Sequence, residues 1–343
     1  MHRRRLALYL VWLGASLQSP DDSAGAGPRA ECSDGAARPC SLVPTGCRVG
    51  RQSCSGGQWA QCALEPPDSH PCSTRCPSSG ELTGESLFAN VSRRAALRSD
   101  WAPLDLAPVP GPYRHGDAPQ RMRLGALGNL VRMLKDARDQ AGTVVLCASP
   151  YRSFPEQCGV FARNAALMGC EKANVSSATA GHSEHQLGTA CDLVTADGAM
   201  LKGDGPADVW LSRHASAYGF LMSYPEGTTG ATGYRTEPWH LRYVGRRLAA
   251  LHDHFERNLG RKLSTEELLS SIACWPQAEF DELGKEDPPQ DDEAGRALCD
   301  AYRGLSNCQS ATTLIDCESG VARLRTCPHR CVVTLRGTSD VCR

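Results

Sequence analysis

Two short stretches of this 343-residue chain carry side chains of the types that bind a divalent metal ion. The first runs from Ser183 to Asp192 and includes His185, and the second is Glu237-Pro-Trp-His240. Together they supply two imidazoles and two carboxylates. Zinc accepts such ligands in sites that keep one coordination position open for water. These residue types therefore predict a zinc-dependent hydrolytic site.

The spacing of the first stretch requires the chain to turn within it. His185 and Asp192 are seven residues apart, so on one uninterrupted strand their side chains would face opposite ways. Gly188 is the candidate for the turn, because it lies between them and breaks regular structure. Residues 189–194 then read as a short strand with Asp192 on one face.

The second stretch predicts the other half of the site. Glu237 and His240 are three residues apart around Pro238, which suits a tight turn whose two polar side chains converge. A carboxylate beside a metal ligand stands where a general base is needed. A single histidine is more often a packed or surface residue, and this chain has ten. A purely structural role for His185, Asp192 and His240 together is not expected.

Residues 149–157 predict a place for an anionic part of a substrate. Ser153 and Glu156 have the spacing of a capping box, which would begin a helix there. A helix start presents unpaired backbone donors and a partial positive charge. Arg152, just before it, and Gln157, in its first turn, are therefore candidates for binding a negative group. The alternative is an arginine paired with a surface carboxylate.

Three ordered motifs in this part of the chain fit one known family. S-x-H-x-x-G-x-A-x-D is matched at 183–192, E-x-W-H at 237–240, and S-G-Y-R-S-x-x-x-Q at 149–157, with Pro150 in place of the usual glycine. The region resembles the zinc D-alanyl-D-alanine carboxypeptidases of the VanY type over roughly residues 83–257. The resemblance implies a small antiparallel sheet with helices, the Hedgehog/DD-peptidase-like fold. It also implies hydrolysis of the terminal peptide bond of peptidoglycan stem peptides.

The resemblance implies a role for each residue of the metal site. His185, Asp192 and His240 would hold Zn²⁺, which activates a water molecule. Glu237 would take the proton from that water as it attacks the amide carbonyl, and then deliver the proton to the leaving amine. Arg152 would help to stabilise the negative charge that develops on the carbonyl oxygen.

Substrate contacts are assigned by the same resemblance to Ser183, Gln157 and Trp239. Ser183 and Gln157 would hold the terminal carboxylate of the substrate, which favours a carboxypeptidase. Two alternatives stay open. One is a peptidoglycan endopeptidase that uses the same site and needs an open groove. The other is a non-catalytic cell-wall-binding protein that keeps the fold.

Apolar spacing and breaker residues predict the elements that position these motifs. Apolar residues from Leu127 to Leu134 recur at the spacing of one helical face, and Gly142 would end that helix. A capping box at Ser264 and Glu267 would open a later short helix. Strands interspersed with helices, outside a doubly wound alternation, predict an α+β domain. The expected helices cover 121–140, 154–168, 207–218 and 246–258, and the expected strands cover 143–149, 189–194, 220–223 and 242–244.

Composition indicates an exported protein. Three arginines before a short apolar run from Leu6 to Leu17 are typical of a secretory signal peptide, with an uncleaved anchor as the alternative. No other segment is apolar enough to cross a bilayer. Eighteen cysteines, an even number, predict disulfides and a secreted, periplasmic or cell-envelope location. The net charge of −1 argues against a nucleic-acid partner, since proteins that bind nucleic acids usually carry a basic excess.

The cysteines divide the chain into three groups of seven, five and six. Because seven and five are odd, at least one bridge would join the first group to the second if every cysteine pairs and the last six pair among themselves. Cys147 and Cys191, on two predicted strands, could form a local pair, as could Cys158 and Cys170. The two flanking modules are candidates for binding cell wall or other secreted proteins. The expected parts are a signal peptide at 1–25, a cysteine-rich module at 30–77, the peptidase domain at 83–275, an acidic linker without regular structure at 276–295, and a second cysteine-rich module at 296–343.

Overall fold

The structure of the protein is a computed structural model. It describes residues 31–43, 48, 50–67, 77, 79–284, 288–302, 307–310, 313–317, 321–327, 331–332 and 339–342. The predicted signal peptide at 1–25 lies outside these residues. Across the part of the chain that is described, no helix combines the length and the apolar character needed to span a bilayer.

The elements of the described chain are numbered in chain order. The strands are β1 (Ala37–Cys40), β2 (Gly50–Ser55), β3 (Gln58–Trp59), β4 (Leu106–Pro108), β5 (Arg121–Arg123), β6 (Val145–Ser149), β7 (Ala190–Thr195), β8 (Phe220–Met222), β9 (His240–Tyr243), β10 (Asn307–Ser310), β11 (Thr313–Asp316), β12 (Arg323–Thr326), β13 (Cys331–Val332) and β14 (Val341–Cys342). The helices are α1 (Leu124–Ala141), α2 (Phe154–Met168), α3 (Cys170–Ser176), α4 (Pro206–His214), α5 (Thr229–Thr232), α6 (Arg246–Leu259), α7 (Thr265–Ile272), α8 (Gln277–Gly284) and α9 (Pro288–Ala301).

A four-stranded antiparallel sheet of described strands carries the motifs, in the order β6-β7-β9-β8. Asp192 of β7 is paired in register with His240 of β9. On its other side, Asp192 is paired with Ser149 of β6. The sheet itself therefore brings residues from all three motifs side by side. The predicted α+β fold with a small antiparallel sheet is confirmed.

Helix α1 supplies the apolar layer that packs with this sheet. Leu127, Leu130 and Leu134 are buried in one cluster with Leu193 of β7 and Phe220 of β8. The helix ends at Gly142, whose left-handed backbone (φ 65°) lets its N–H bond to carbonyls of the last turn. The periodic apolar face predicted for this helix is thus confirmed, and it anchors the sheet that holds the motifs.

A second buried cluster lies around α6 and α7. It includes Leu248 and Phe255 of α6 and Leu268 of α7. Helix α7 begins with the predicted capping box: Ser264 Oγ accepts from the Glu267 backbone N–H at 3.1 Å, and the Glu267 carboxylate accepts from the Ser264 N–H at 2.9 Å. These reciprocal bonds satisfy donors that a helix start leaves unpaired.

Regular structure extends into 276–295, where the sequence favoured a linker without it. Helix α8 occupies Gln277–Gly284, and α9 begins at Pro288. The apolar residues of α9 lie near its C-terminal end, mostly beyond the acidic residues of 276–295. The sequence of 276–295 therefore shows no apolar periodicity that would predict a helix. Ala294 and Leu298 are buried. Leu298 joins the cluster that contains α1.

Disulfides occur in all three parts of the chain. The predicted Cys147–Cys191 bridge joins β6 to β7, with 6.1 Å between the Cα atoms. Cys158, Cys170 and Cys274 are also disulfide-bonded. The expected bridge between the first and second cysteine groups stays a prediction. The other described bridges are Cys32–Cys54, Cys40–Cys62, Cys299–Cys317 and Cys327–Cys342.

The chain divides into a small and a large compact unit. Of the residues that the structure describes, 31–38 and Gln52–Gln61 form the small unit. Within it, β2 is paired with β3 through Cys54 and Trp59, and the Arg38 guanidinium lies 4.2 Å from the Trp59 ring. The large unit comprises the described residues of 39–51 and 62–342. All the motifs lie in the large unit.

Candidate metal centre

The three predicted metal ligands lie together. His185 belongs to a short 3₁₀ turn, Asp192 to β7 and His240 to β9. Asp192 Oδ2 is 3.4 Å from His185 Nε2, and Asp192 Oδ1 is 3.0 Å from His240 Nδ1. The three ligand atoms all lie within 4.8 Å of one another. A tetrahedral zinc site with bonds of about 2.0–2.1 Å places neighbouring ligand atoms roughly 3.4 Å apart, so this donor set fits zinc.

The turn before β7 fixes the direction of His185. Gly188 ends the 3₁₀ turn with a left-handed backbone (φ 70°), and its N–H bonds to the His185 carbonyl. A Cβ there would lie 3.0 Å from Leu106 Cδ2, so the position suits glycine. His185 Nδ1 is 2.7 Å from the Pro150 carbonyl oxygen. Because a carbonyl can only accept, Nδ1 carries the hydrogen and Nε2 offers its lone pair towards Asp192.

The electrostatics of the ligands suit a cation. Burial alone would raise the pKa of Asp192, but the charged His240 ring beside it holds that pKa well below its ordinary value, so the carboxylate stays ionised. Burial and the charge of Arg152 lower the pKa of His185, which keeps that ring neutral. Burial would also lower the pKa of His240, but Asp192 and Glu184 raise it to about 10. A metal ion that binds here displaces the His240 proton facing Asp192.

Glu237 is a buried carboxylate beside the ligands. Its backbone N–H bonds to the Tyr224 carbonyl, and its carbonyl accepts from the His240 N–H at 3.1 Å, which forms the predicted tight turn. Burial raises the pKa of Glu237 from 4.5 to about 7, although His240 opposes the rise. A carboxyl group with such a pKa exchanges protons readily at neutral pH.

Arg152 is a half-buried cation with spare hydrogen-bonding capacity. Its Nη1 donates to Ser149 Oγ at 3.0 Å and lies 3.9 Å from Asp192 Oδ2. Its Nε has no hydrogen-bond partner among the described residues. Burial lowers the pKa of Arg152, while Asp192 and Glu237 counteract that effect. A guanidinium whose buried Nε–H has no partner can bind a further negatively charged group.

The three residues expected to contact substrate are placed differently from one another. Gln157 is 1% exposed, and its Nε2 donates to the Ala178 carbonyl at 2.6 Å. Ser183 is buried, and its Oγ accepts from the His185 N–H at 3.4 Å. Trp239 is half-buried, with the Arg235 guanidinium 5.4 Å from the centre of its ring. Their contact with a substrate stays a prediction.

Glu184 also touches the site, although the sequence analysis did not single it out. Its Oε2 is 2.9 Å from His240 Nε2, and its Oε1 accepts from Arg242 Nη1 at 2.9 Å. Burial alone would raise the pKa of Glu184, but Arg242 and His240 lower it to about 2. The matched motif allows any residue at this position. One sequence feature could have identified Glu184. It is a charged residue next to the predicted ligand His185, in a segment that becomes buried, and a buried carboxylate needs a partner.

The chain matches a known protein family in sequence. The family model for VanY, D-alanyl-D-alanine carboxypeptidase, matches residues 119–246. YodJ of Bacillus subtilis (strain 168) is 30% identical over 186 residues, which cover 50% of this chain and 68% of that protein. The chain belongs to the VanY family. The D-alanyl-D-alanine carboxypeptidase of Enterococcus faecium is 36% identical to this VanY-family chain over 113 residues, 33% of this chain and 34% of that protein. The family resemblance predicted from the motifs is confirmed, and with it the carboxypeptidase class.

Two solved structures also resemble this VanY-family chain. The LdcB LD-carboxypeptidase shares 27% identity with a TM-score of 0.48, and the match covers 66% of this chain and 99% of that one. A VanY D,D-pentapeptidase from a VanB-type resistance cassette, solved in complex with Zn(II), shares 27% identity with a TM-score of 0.44, over 53% of this chain and 98% of that one. Both matches take in nearly the whole solved chain and only part of this one.

Proposed function

We propose that this VanY-family protein is a zinc-dependent D-alanyl-D-alanine carboxypeptidase that hydrolyses the terminal peptide bond of peptidoglycan stem peptides. The observation that carries the proposal is the convergence of His185, Asp192 and His240 next to Glu237, whose pKa burial raises to about 7. The Enterococcus faecium relative is named as a D-alanyl-D-alanine carboxypeptidase, which supports the substrate class. The VanY pentapeptidase in complex with Zn(II) is consistent with the metal.

The chemistry divides between the metal and the residues beside it. His185, Asp192 and His240 would hold zinc, which when bound polarises the substrate carbonyl and activates a water molecule. Glu237 takes the proton from the attacking water and then delivers it to the leaving amine. Both transfers are accessible because its pKa lies near neutrality. Arg152 donates to the carbonyl oxygen as negative charge develops there.

A free terminal carboxylate would decide which bond is cut. An amide nitrogen carries two hydrogens, so Gln157 keeps one donor beyond its bond to Ala178, and Ser183 keeps its hydroxyl proton. Both remain our candidates for holding that carboxylate. Trp239, which lies between Glu237 and His240 in the sequence and is half-buried, remains our candidate for a further substrate contact.

We also propose that the protein acts outside the cytoplasm. Bridges such as Cys147–Cys191 and Cys299–Cys317 form and persist in oxidising compartments. The proposed substrate lies in the cell wall, in agreement with this location. Binding of the flanking cysteine-rich modules to cell wall or to secreted partners belongs to the same proposal. Detection of the protein in culture medium or envelope fractions, with its thiols oxidised, would support it.

The test of the proposed function is direct. Purified zinc-loaded protein is incubated with a muramyl pentapeptide that ends in D-alanyl-D-alanine, and the products are measured by mass spectrometry. We expect tetrapeptide and free D-alanine from the wild type, and turnover lower by about 10²–10⁴-fold from Glu237→Gln. Cleavage inside the stem would instead identify an endopeptidase. Binding without turnover by the zinc-loaded wild type would identify a non-catalytic wall-binding protein.

A further inference from the structure

We propose that Glu184 is a positioning residue of the metal centre, which selects the nitrogen that His240 presents to the cation and thereby sets the affinity for zinc. The inference rests on the proposed function only for the identity of the metal. It concerns the ion's attachment to the protein and needs no assumption about the substrate.

The first observation is the geometry at the two sides of one ring. His240 Nε2 lies 2.9 Å from Glu184 Oε2, while Nδ1 lies 3.0 Å from Asp192 Oδ1, on the metal side. An ionised carboxylate can only accept, so Nε2 carries the hydrogen that it donates to Glu184. A neutral imidazole has a single N–H, so Nδ1 is left with its lone pair for the metal. Glu184 thus determines the tautomer that a ligand needs.

The second observation is how firmly Glu184 is held. Arg242, which is 0% exposed, donates to Glu184 Oε1 at 2.9 Å and to the Leu87 and Ala89 carbonyls at 3.0 and 2.7 Å. Ser223 Oγ donates to Glu184 Oε2 at 2.6 Å. The carboxylate, in a residue that is 3% exposed, therefore has fixed partners on both oxygens. A fixed acceptor of this kind orients a ligating histidine and tunes its binding.

The third observation is the contrast between the two histidines. His185 donates its Nδ1 hydrogen to the Pro150 backbone carbonyl, an acceptor that no side-chain substitution removes. His240 relies on a side chain for the same purpose. A single substitution at Glu184 can therefore change the tautomer of one ligand and leave the other ligand unaltered.

The variant Glu184→Gln tests this directly. An amide has one oxygen, which must face either Arg242 or His240. If it faces Arg242, the amide nitrogen donates to His240 Nε2 and drives the ring hydrogen onto Nδ1, towards the metal. If it faces His240, two donors meet at Arg242 in a buried place. We expect the zinc affinity of the metal-free protein, measured by competition with a chromogenic chelator, to fall by about 10–100-fold.

Cobalt provides a readout that a purely structural role would not change. We expect the visible absorption bands of the cobalt-loaded Glu184→Gln protein to differ from those of the wild type, because one ligand is lost or reoriented. Glu184→Asp keeps the charge and should recover part of the affinity. The matched control is Glu266→Gln. Glu266 is also buried, at 6% exposure, but its salt bridge is to Arg94, so zinc affinity should stay within about twofold of the wild type.

A milder variant covers the case in which Glu184→Gln does not fold. Ser223→Ala removes only the hydroxyl that donates to Glu184, and it should weaken zinc binding by about fivefold, the equivalent of one hydrogen bond.

The proposal is overturned if folded Glu184→Gln binds zinc as tightly as Glu266→Gln with an unchanged cobalt spectrum. It is equally overturned if Glu184→Gln is unfolded and Ser223→Ala binds zinc like the wild type. Both readouts need no substrate, so an inactive wild type would refute the proposed function without deciding this one.

Discussion

Replacing Glu237 by glutamine should lower turnover by about 10²–10⁴-fold and at the same time stabilise the metal-free protein at neutral and higher pH. Burial raises the pKa of Glu237 from 4.5 to about 7, so ionising this carboxyl costs more in the folded protein than in the unfolded chain. The difference of about 2.5 between the two pKa values corresponds to about 3 kcal/mol at 1.36 kcal/mol for each pKa unit. Glutamine has a similar shape and no charge to bury.

The sign of the effect follows from proton binding. Between pH 4.5 and pH 7 the folded protein binds a proton at Glu237 that the unfolded chain has lost. The stability that this group supplies is complete below pH 4.5 and is lost as the pH rises through 7. At pH 4, the free energies of unfolding of Glu237→Gln and the wild type should therefore differ only by the pH-independent effect of the substitution, which is a constant offset. By pH 8 the variant should gain about 3 kcal/mol relative to that offset.

The assay is urea denaturation of both proteins with a chelator present, at several pH values from 4 to 8. The comparison removes contributions from groups that the two proteins share. Activity with zinc present should fall by about 10²–10⁴-fold in the variant, the loss expected for a general base. A stability difference that does not change with pH would refute the assignment of a raised pKa to Glu237. Retained turnover would refute its role as the base.

The remaining predictions concern the other parts of the site and its support. Arg152→Ala should lower kcat by about 10²–10³-fold in the pentapeptide assay, with a smaller change in zinc affinity; equal kcat values would exclude a role at the developing oxyanion. The wild-type kcat/KM should rise with pH along an acidic limb with a midpoint at or below 7, since the charge of zinc lowers the pKa that burial gives Glu237; a limb that falls with pH in this range would contradict it. Chelation should abolish turnover and added Zn²⁺ should restore it, as followed by D-alanine release. Replacing Cys147 and Cys191 by serine should cost about 2–5 kcal/mol of unfolding free energy; a denaturation midpoint like that of the wild type would show that the bridge adds no stability.

Local chemistry explains which parts of the fold the sequence could predict. Helix α1 was predictable because apolar residues from Leu127 to Leu134 repeat with the period of a helix and Gly142 provides its end. The start of α7 was predictable because Ser264 and Glu267 carry the capping chemistry themselves. Helices α8 and α9 were not, because acidic residues dominate that window and the burial of α9 depends on distant partners.

The candidate site shows the same division. Asp192 and His240 were predictable as a pair because each stands at a fixed position in a short motif whose residue types bind metals. In the structure, β7 and β9 align the two residues in register. The contact between Glu184 and His240 depends on a pairing 56 residues apart, which no local pattern encodes. Gln157 was predicted from its place in a helix start, but its bond to the Ala178 carbonyl depends on how a later loop folds back.

The way α9 and the following strands pack affects any attempt to shorten the protein. Leu298, Ile315 and Cys317 share one buried cluster with Leu127 and Leu130 of α1. Recombinant expression of residues 83–275 alone would expose the apolar surface on that side of α1. The product would tend to aggregate or accumulate in inclusion bodies. A crystallographer or enzymologist who wants a minimal soluble peptidase should therefore keep the chain at least through Cys317, together with its bridge to Cys299.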